Sequence, residues 1–144
     1  MSIGRPDMPE ESMVSKVRIV LADDHREMVD IVRSTLGEDF EIVAAVEDGR
    51  RALDAVLALD PDVLITDISM PEMDGLQLAG QVKKSHCRTK VIVLTMHQDS
   101  YFVAAAMSLG VSGYVTKTLM SSDLVFAIQD ALKGNVFISG STPH

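Results

Sequence analysis

Short, nearly unbroken apolar runs alternate along the chain with longer segments in which apolar residues recur three and four positions apart. Val17-Arg18-Ile19-Val20-Leu21-Ala22, Glu41 to Val46, Val63-Leu64-Ile65, Val91-Ile92-Val93-Leu94 and Ser112 to Thr116 are the runs. Runs of this length without polar alternation suit strands buried on both faces. Between them, Met28, Ile31, Val32 and Leu36 mark a helix from Arg26 to Leu36, which Gly37 stops. Ala52, Leu53, Val56 and Leu57 mark a second, after an Asp48-Gly49 turn and ending at Asp60-Pro61. Asp74-Gly75 opens a third, carried by Leu78, Ala79 and Val82. Ser100 to Leu109 form a fourth, stopped by Gly110. Leu124, Ile128 and Ala131 give the buried stripe of a fifth, with Ser121 or Ser122 as its cap and Gly134 at its end. Val136-Phe137-Ile138 is left as a short apolar remnant.

Strand and helix thus alternate five times over short connections. That order predicts an α/β fold, a doubly wound parallel sheet with helices on both faces. No low-complexity segment appears after residue 16 and no internal linker divides the chain. Residues 1–15 mix Pro, Gly, Glu, Asp and Met and read as a flexible tail. The folded domain is expected over 16–139, and 140–144 as the start of a linker.

Composition narrows the function. The chain has 144 residues, 47% apolar and 24% charged, enough for one domain with a sizeable core. Its formal net charge of -8 makes it a poor holder of DNA or anionic lipid by itself. The single cysteine, Cys87, cannot staple the fold and has no metal-ligand spacing around it, so a reducing, cytoplasmic setting is expected. No apolar run reaches membrane-spanning length.

The chemistry lies at the strand ends, where ligands bind in open α/β sheets. The first strand ends at Asp23-Asp24, the third at Asp67, the fourth at Thr95 and the fifth at Lys117. If those four strands are neighbours, three carboxylates, a hydroxyl and an ammonium converge. Two like charges about 4 Å apart repel by roughly 4 kcal/mol at an effective dielectric near 20, so the carboxylates need cations. Lys117 supplies one positive charge, and a divalent ion would balance the rest. Oxygen donors favour Mg²⁺ or Mn²⁺ over zinc. Such an ion beside a carboxylate, a lysine and a hydroxyl suits phosphoryl transfer to a carboxylate.

Four ordered motifs carry a family resemblance: Leu21-Ala22-Asp23-Asp24-His25, Asp67-Ile68-Ser69-Met70-Pro71-Glu72-Met73-Asp74-Gly75, Val93-Leu94-Thr95-Met96, and Gly110-Val111-Ser112-Gly113-Tyr114-Val115-Thr116-Lys117. With them the chain, from about Lys16 to Ile138, resembles a CheY-like response-regulator receiver domain of two-component signalling. The resemblance implies a flavodoxin-like sheet of five strands in the order 2-1-3-4-5 with five helices. It implies Asp67 as phosphoacceptor, Lys117 as its partner, and Mg²⁺ held by Asp23, Asp24, Asp67 and the main-chain carbonyl of Ser69. It implies that Thr95 swings to the phosphoryl group and that Tyr114 turns with it as a switch. Ser69 and His97 match the positions that tune the lifetime of the phosphorylated state. The phosphoryl donor would be a sensor histidine kinase, and the domain would be a signalling protein rather than an enzyme.

Leu94-Thr95-Met96-His97, the lysine without a following proline, and the ending Leu132-Lys133-Gly134-Asn135-Val136-Phe137-Ile138-Ser139 resemble the NarL/FixJ (LuxR-type) branch. Members of that branch usually continue into a C-terminal helix-turn-helix domain that regulates transcription, so a receiver fragment is expected, with a stand-alone receiver as the alternative and homodimerisation on phosphorylation left open. Thr118 follows Lys117, so a trans peptide bond is expected there, because cis costs roughly 2.5–4 kcal/mol before a non-proline residue. An aspartyl phosphatase would want a second acid where Ser69 stands, and a flavin module would find its phosphate repelled by Asp23-Asp24. A phosphorylation-independent protein-interaction module is the remaining alternative. His25 and His97 read as loop residues rather than ligands. Met28 and Met107 read as core filler, and Met70 and Met73 as loop packing. The kinase, the signal and the genes controlled leave no trace in the sequence.

Overall fold

A computed structural model describes residues 16–140. Strand β1 (Val17–Ala22) is followed by α1 (Glu27–Leu36), β2 (Phe40–Val46), α2 (Gly49–Leu59), β3 (Val63–Thr66), α3 (Gly75–Lys84), β4 (Lys90–Thr95), α4 (Ser100–Ser108) and β5 (Gly113–Thr116). A 3₁₀ turn over Lys117–Leu119 then leads into α5 (Met120–Leu132), and a last strand, β6 (Phe137–Ile138), follows. The sheet is parallel throughout, in the order β2-β1-β3-β4-β5-β6. Five of its strands therefore stand in the expected order, and the apolar remnant becomes a sixth. The expected tail over 1–15 and the linker residues 141–144 lie outside the described residues.

The sheet divides the core in two. On one face Ile19, Leu21, Ile65, Ile92 and Leu94 meet Met28, Val32 and Leu36 of α1 and Leu124, Ile128 and Ala131 of α5. On the other, Val20, Leu64 and Val93 meet Ala52 and Val56 of α2, Leu78 and Val82 of α3, and Ala106 of α4. Burying one such large aliphatic side chain stabilises the fold by about 1.5–3 kcal/mol before entropy is counted. Ile31 and Leu57 fit the helical period but face solvent, because each helix touches the sheet along one side only. Met28 is buried and Met107 packs against the second core, as filler.

The start of α5 differs from expectation. Neither Ser121 nor Ser122 caps it; both lie inside the helix, whose N-cap residue, Leu119, makes no side-chain bond. The 3₁₀ turn supplies the entry instead: Met120 N–H donates to the carbonyl of Lys117, so no side-chain acceptor is required. Elsewhere Asp48, Asp74 and Asp99 cap α2, α3 and α4 with their carboxylates. Asp74 and Gln77 bond reciprocally across the first turn of α3. All described peptide bonds are trans, Lys117–Thr118 included.

At the end of the sheet away from the strand carboxyl termini, Asp62 ties three strands together. Its carboxylate accepts from Arg18 N at 2.8 Å and from Arg88 Nη1 at 2.7 Å. Its own backbone N–H donates to Arg18 O, and its carbonyl accepts from Lys90 N. Burial alone would raise this carboxyl, but the Arg18 amide and the Arg88 guanidinium outweigh it and hold it below its usual value. A depressed folded value means stability that is present above the ordinary carboxylate range and lost as pH falls through the folded value. Asp62→Ala should cost about 2 kcal/mol at pH 7, the worth of charged hydrogen bonds left open. Urea titrations of both proteins should show the gap closing only in acid.

Candidate functional site

The strand ends bring Asp23, Asp67 and Lys117 together. Asp67 follows β3 directly, and its backbone N–H donates to the carbonyl of Ala22 at the end of β1, which fixes its height beside Asp23. The Asp67 carboxylate accepts from the Ile68 amide at 2.6 Å through Oδ1 and from Lys117 Nζ at 3.0 Å through Oδ2. Lys117 lies at the same time 2.8 Å from Asp23 Oδ2. All three side chains are at least nine-tenths buried. Burial alone would lower the Lys117 ammonium, but its bonds to Asp23 and Asp67 overcome that and raise it. It is therefore charged throughout the physiological range.

Asp24 is exposed beside them, and His25 completes the group. The carboxylates of Asp23, Asp24 and Asp67 and the His25 ring offer donor atoms within 4.8 Å of one another. His25 donates its backbone N–H to Asp23 Oδ1 at 2.8 Å, and its Nδ1 lies 2.9 Å from the same oxygen. The hydrogen bond with Asp23 is the main reason the His25 imidazole is raised above its ordinary value. This histidine reads from sequence as a loop residue; no local signal separates it from one, and only the turn that folds it back onto Asp23 brings it in.

The donor set suits a hard divalent cation. Three carboxylates and one ammonium leave two negative charges, and oxygen dominates the donors. Among the described residues Asp23 Oδ2 is buried with no aligned hydrogen-bond partner, since its Lys117 contact satisfies charge but not direction.

The loop after β3 is built for close approach. Pro71-Glu72-Met73 form a tight turn in which Met73 N–H donates to Pro71 O and Glu72 takes φ +71°. A positive φ at a non-glycine residue is strained. Met70 and Met73 pack against the second core, as expected of them. Gly75 N–H then donates to Ile68 O at 2.7 Å, and a Cβ on Gly75 would overlap the carbonyl oxygen of Asp67. Gly75 therefore positions Asp67, a role the sequence hides behind an ordinary Asp-Gly turn signal.

Thr95 and Tyr114 lie one strand further on. Thr95 is fully buried, and its Oγ1 accepts from the His97 amide at 3.3 Å. Tyr114 is turned inward, 1% exposed, and its hydroxyl donates to His97 O at 2.7 Å. Burial first, with the charges of Asp99 and Asp67, pushes its phenol up to about 12, so the donated proton is kept. The His97 ring sits 3.3 Å from Ser69 Oγ through Nε2 and packs on Phe102 at 4.5 Å between centroids. His97 thus joins the loop after Asp67 to both Thr95 and Tyr114.

Comparisons with known proteins bear on the family and the fold. A family profile described as response regulator receiver domain matches residues 19–129. The chain is 32% identical over 139 residues to the transcriptional regulatory protein DegU of Brevibacillus brevis, covering 95% of this chain and 59% of DegU. It superposes on the signal receiver domain of NarL from Mycobacterium tuberculosis with TM-score 0.80 at 32% identity, covering 85% of this chain and 100% of that one. It also superposes on the isolated REC domain of RcsB from Salmonella enterica serovar Typhimurium, solved in the presence of phosphomimetic BeF3⁻. That match has TM-score 0.80 at 31% identity and covers 88% of this chain and 95% of that one. The chain spans less than two thirds of the length of DegU.

Proposed function

Because the chain belongs to the response regulator receiver domain family, in its LuxR-type branch, we propose that Asp67 accepts a phosphoryl group from a sensor histidine kinase. The observation that carries this is the buried Asp67 carboxylate at the end of β3, bonded to Lys117, which also touches Asp23. One Asp67 oxygen forms the new P–O bond as the P–N bond of a phosphohistidine breaks, and the imidazole leaves with its electron pair. Lys117 neutralises charge on the transferred oxygens and stays with the acyl phosphate. Asp23, Asp24, Asp67 and the Ser69 carbonyl would hold Mg²⁺ (or Mn²⁺), which when bound supplies a second centre of positive charge for those oxygens.

After transfer, the Thr95 hydroxyl moves to a phosphoryl oxygen and leaves the His97 amide. The buried arrangement of Tyr114 is then favoured over an outward one. Shifting such a pair from 1:99 to 99:1 takes about 5.5 kcal/mol of differential stabilisation. Charge-assisted bonds from Lys117 and Thr95 supply a large part of it. Ser69 and His97, which contact each other, would govern access of water to the acyl phosphate and hence its lifetime. The output is a changed face over α4, β5 and α5 that acts on a second protomer or on a DNA-binding domain. The name of DegU, a transcriptional regulatory protein, supports the latter.

The cation site is tested without phosphorylation. Mg²⁺ at 100 times its dissociation constant should stabilise the protein by about 2.7 kcal/mol. EDTA should reverse the gain, and Asp23→Asn should lose most of it. A midpoint in thermal unfolding that ignores Mg²⁺ would contradict the donor set assigned here.

A further inference from the structure

The chain does not leave the sheet at the end of α5. Gly134, at φ +88°, turns it back, and Phe137 and Ile138 pair in parallel register with Gly113 and Tyr114. Phe137 N–H donates to Ser112 O at 3.1 Å, and Ser139 N–H donates to Tyr114 O at 2.7 Å. Ser139 Oγ donates to Asp123 Oδ2 of α5 at 2.7 Å. Gly140, at φ +78°, then re-aims the chain. Two half-buried residues between two left-handed glycines make the shortest and most easily opened strand of the sheet. They also cover the edge of β5, whose backbone groups would otherwise stand unpaired.

Tyr114 is the residue on which this strap is built. Its carbonyl takes the Ser139 amide, and its ring belongs to the apolar cluster against which Ile138 packs. Its hydroxyl reaches His97 in the loop after β4. Beside it lies a cavity of about 240 Å³ lined by Gln98, Val103, Tyr114, Thr116, Ser139 and Gly140 among others. The Thr116 hydroxyl is buried with no hydrogen-bond partner among the described residues. The cavity leaves free space between the ring and the end of the strap, beyond the Ile138 contact.

We propose that β6 is a strap coupled to Tyr114. With the ring buried the strap is docked, and when the ring leaves the core the strap detaches from β5. Phosphorylation at Asp67, by favouring the buried ring, tightens the strap against β5. This last step rests on the phosphoacceptor reading; the coupling of ring and strap does not. Linkage makes the coupling reciprocal, so loosening the strap also loosens the ring.

The reciprocal effect is read by fluorescence. The chain has two tyrosines and no tryptophan, so Tyr101→Phe leaves Tyr114 as the sole emitter. In that background Ser139→Pro deletes the amide that bonds Tyr114 O, while Ser139→Ala deletes only the hydroxyl. Ser139→Pro should raise iodide quenching of Tyr114 several-fold with unchanged helix content. If hydrogen exchange shows the Phe137 amide deprotected in Ser139→Pro while quenching stays as before, ring and strap are independent and the proposal is wrong. In the wild-type chain, acetyl phosphate with Mg²⁺ should slow exchange of the Phe137 and Ser139 amides about tenfold. The same spectra give the fraction phosphorylated. Phosphorylated protein with unchanged or faster exchange overturns the transmission to the strap. Absence of any phosphoryl gain would instead count against Asp67 as acceptor and leave the quenching result to decide the strap.

Discussion

Lys117→Met should cost the cation-free protein about 3 kcal/mol of folding stability, the penalty for removing one partner of a buried ion pair. Lys117 stands 2.8 Å from Asp23 Oδ2 and 3.0 Å from Asp67 Oδ2, so one ammonium serves two carboxylates that are themselves almost wholly buried. Methionine keeps the stem and its packing but leaves the carboxylates facing each other across a dry gap. Urea denaturation in EDTA should show the full deficit. Mg²⁺ should narrow it, because the ion takes over the neutralisation. The pH dependence has a definite sign. A lysine raised in the folded state gives stability that is fully present below its unfolded value, about 10.4, and lost as pH rises through the folded one. The gap between wild type and variant should therefore be flat from neutrality to the lysine range and close in strong alkali. Loss of phosphoryl uptake should accompany it, since no other side chain among the described residues forms an ion pair with Asp67.

The second large effect is steric rather than electrostatic. Gly75→Ala should lose about 3 kcal/mol, at the upper end for overpacking a closed site. The added Cβ would overlap the Asp67 carbonyl oxygen and press on Ile68 Cα, both backbone atoms with no side-chain freedom to yield. Relief has to come from moving α3 away from β3 or from shifting Asp67 itself. Either breaks the Gly75 N–H bond to Ile68 O. The variant should therefore combine a lower unfolding midpoint with slow phosphorylation even at temperatures where it is fully folded. Normal phosphorylation by a folded Gly75→Ala protein would mean that the loop after β3 does not set the position of Asp67.

Much of this site is legible in the residues because each buried strand ends abruptly in a polar one. Leu21-Ala22 gives way to Asp23, Thr66 to Asp67, and Thr116 to Lys117, so the carboxyl ends can be located without coordinates. What the residues do not disclose depends on approach in space. Glycine at position 75 reads as a turn signal, and its real constraint, the Asp67 carbonyl against its α-carbon, belongs to a neighbouring strand end. His25 enters the acidic group only through a local turn onto Asp23. The strand β6 is two residues long and exists because β5 offers an open edge, something no window around Phe137 contains. The entry into α5 misleads for a related reason: two serines look like caps, but a 3₁₀ turn begins at Lys117 and passes them by. Ile31 and Leu57 keep the helical period yet remain on the solvent side, since periodicity defines a stripe wider than the sheet covers.

The most direct measurement is intact-mass spectrometry after incubation with acetyl phosphate, with Mg²⁺ or with EDTA, on wild type and Asp67→Asn. The account predicts the gain of one phosphoryl group by wild type in Mg²⁺, little in EDTA, and none in the variant under either condition. A phosphoryl group on Asp67→Asn, or no gain by a folded, Mg²⁺-stabilised wild-type protein, would contradict it.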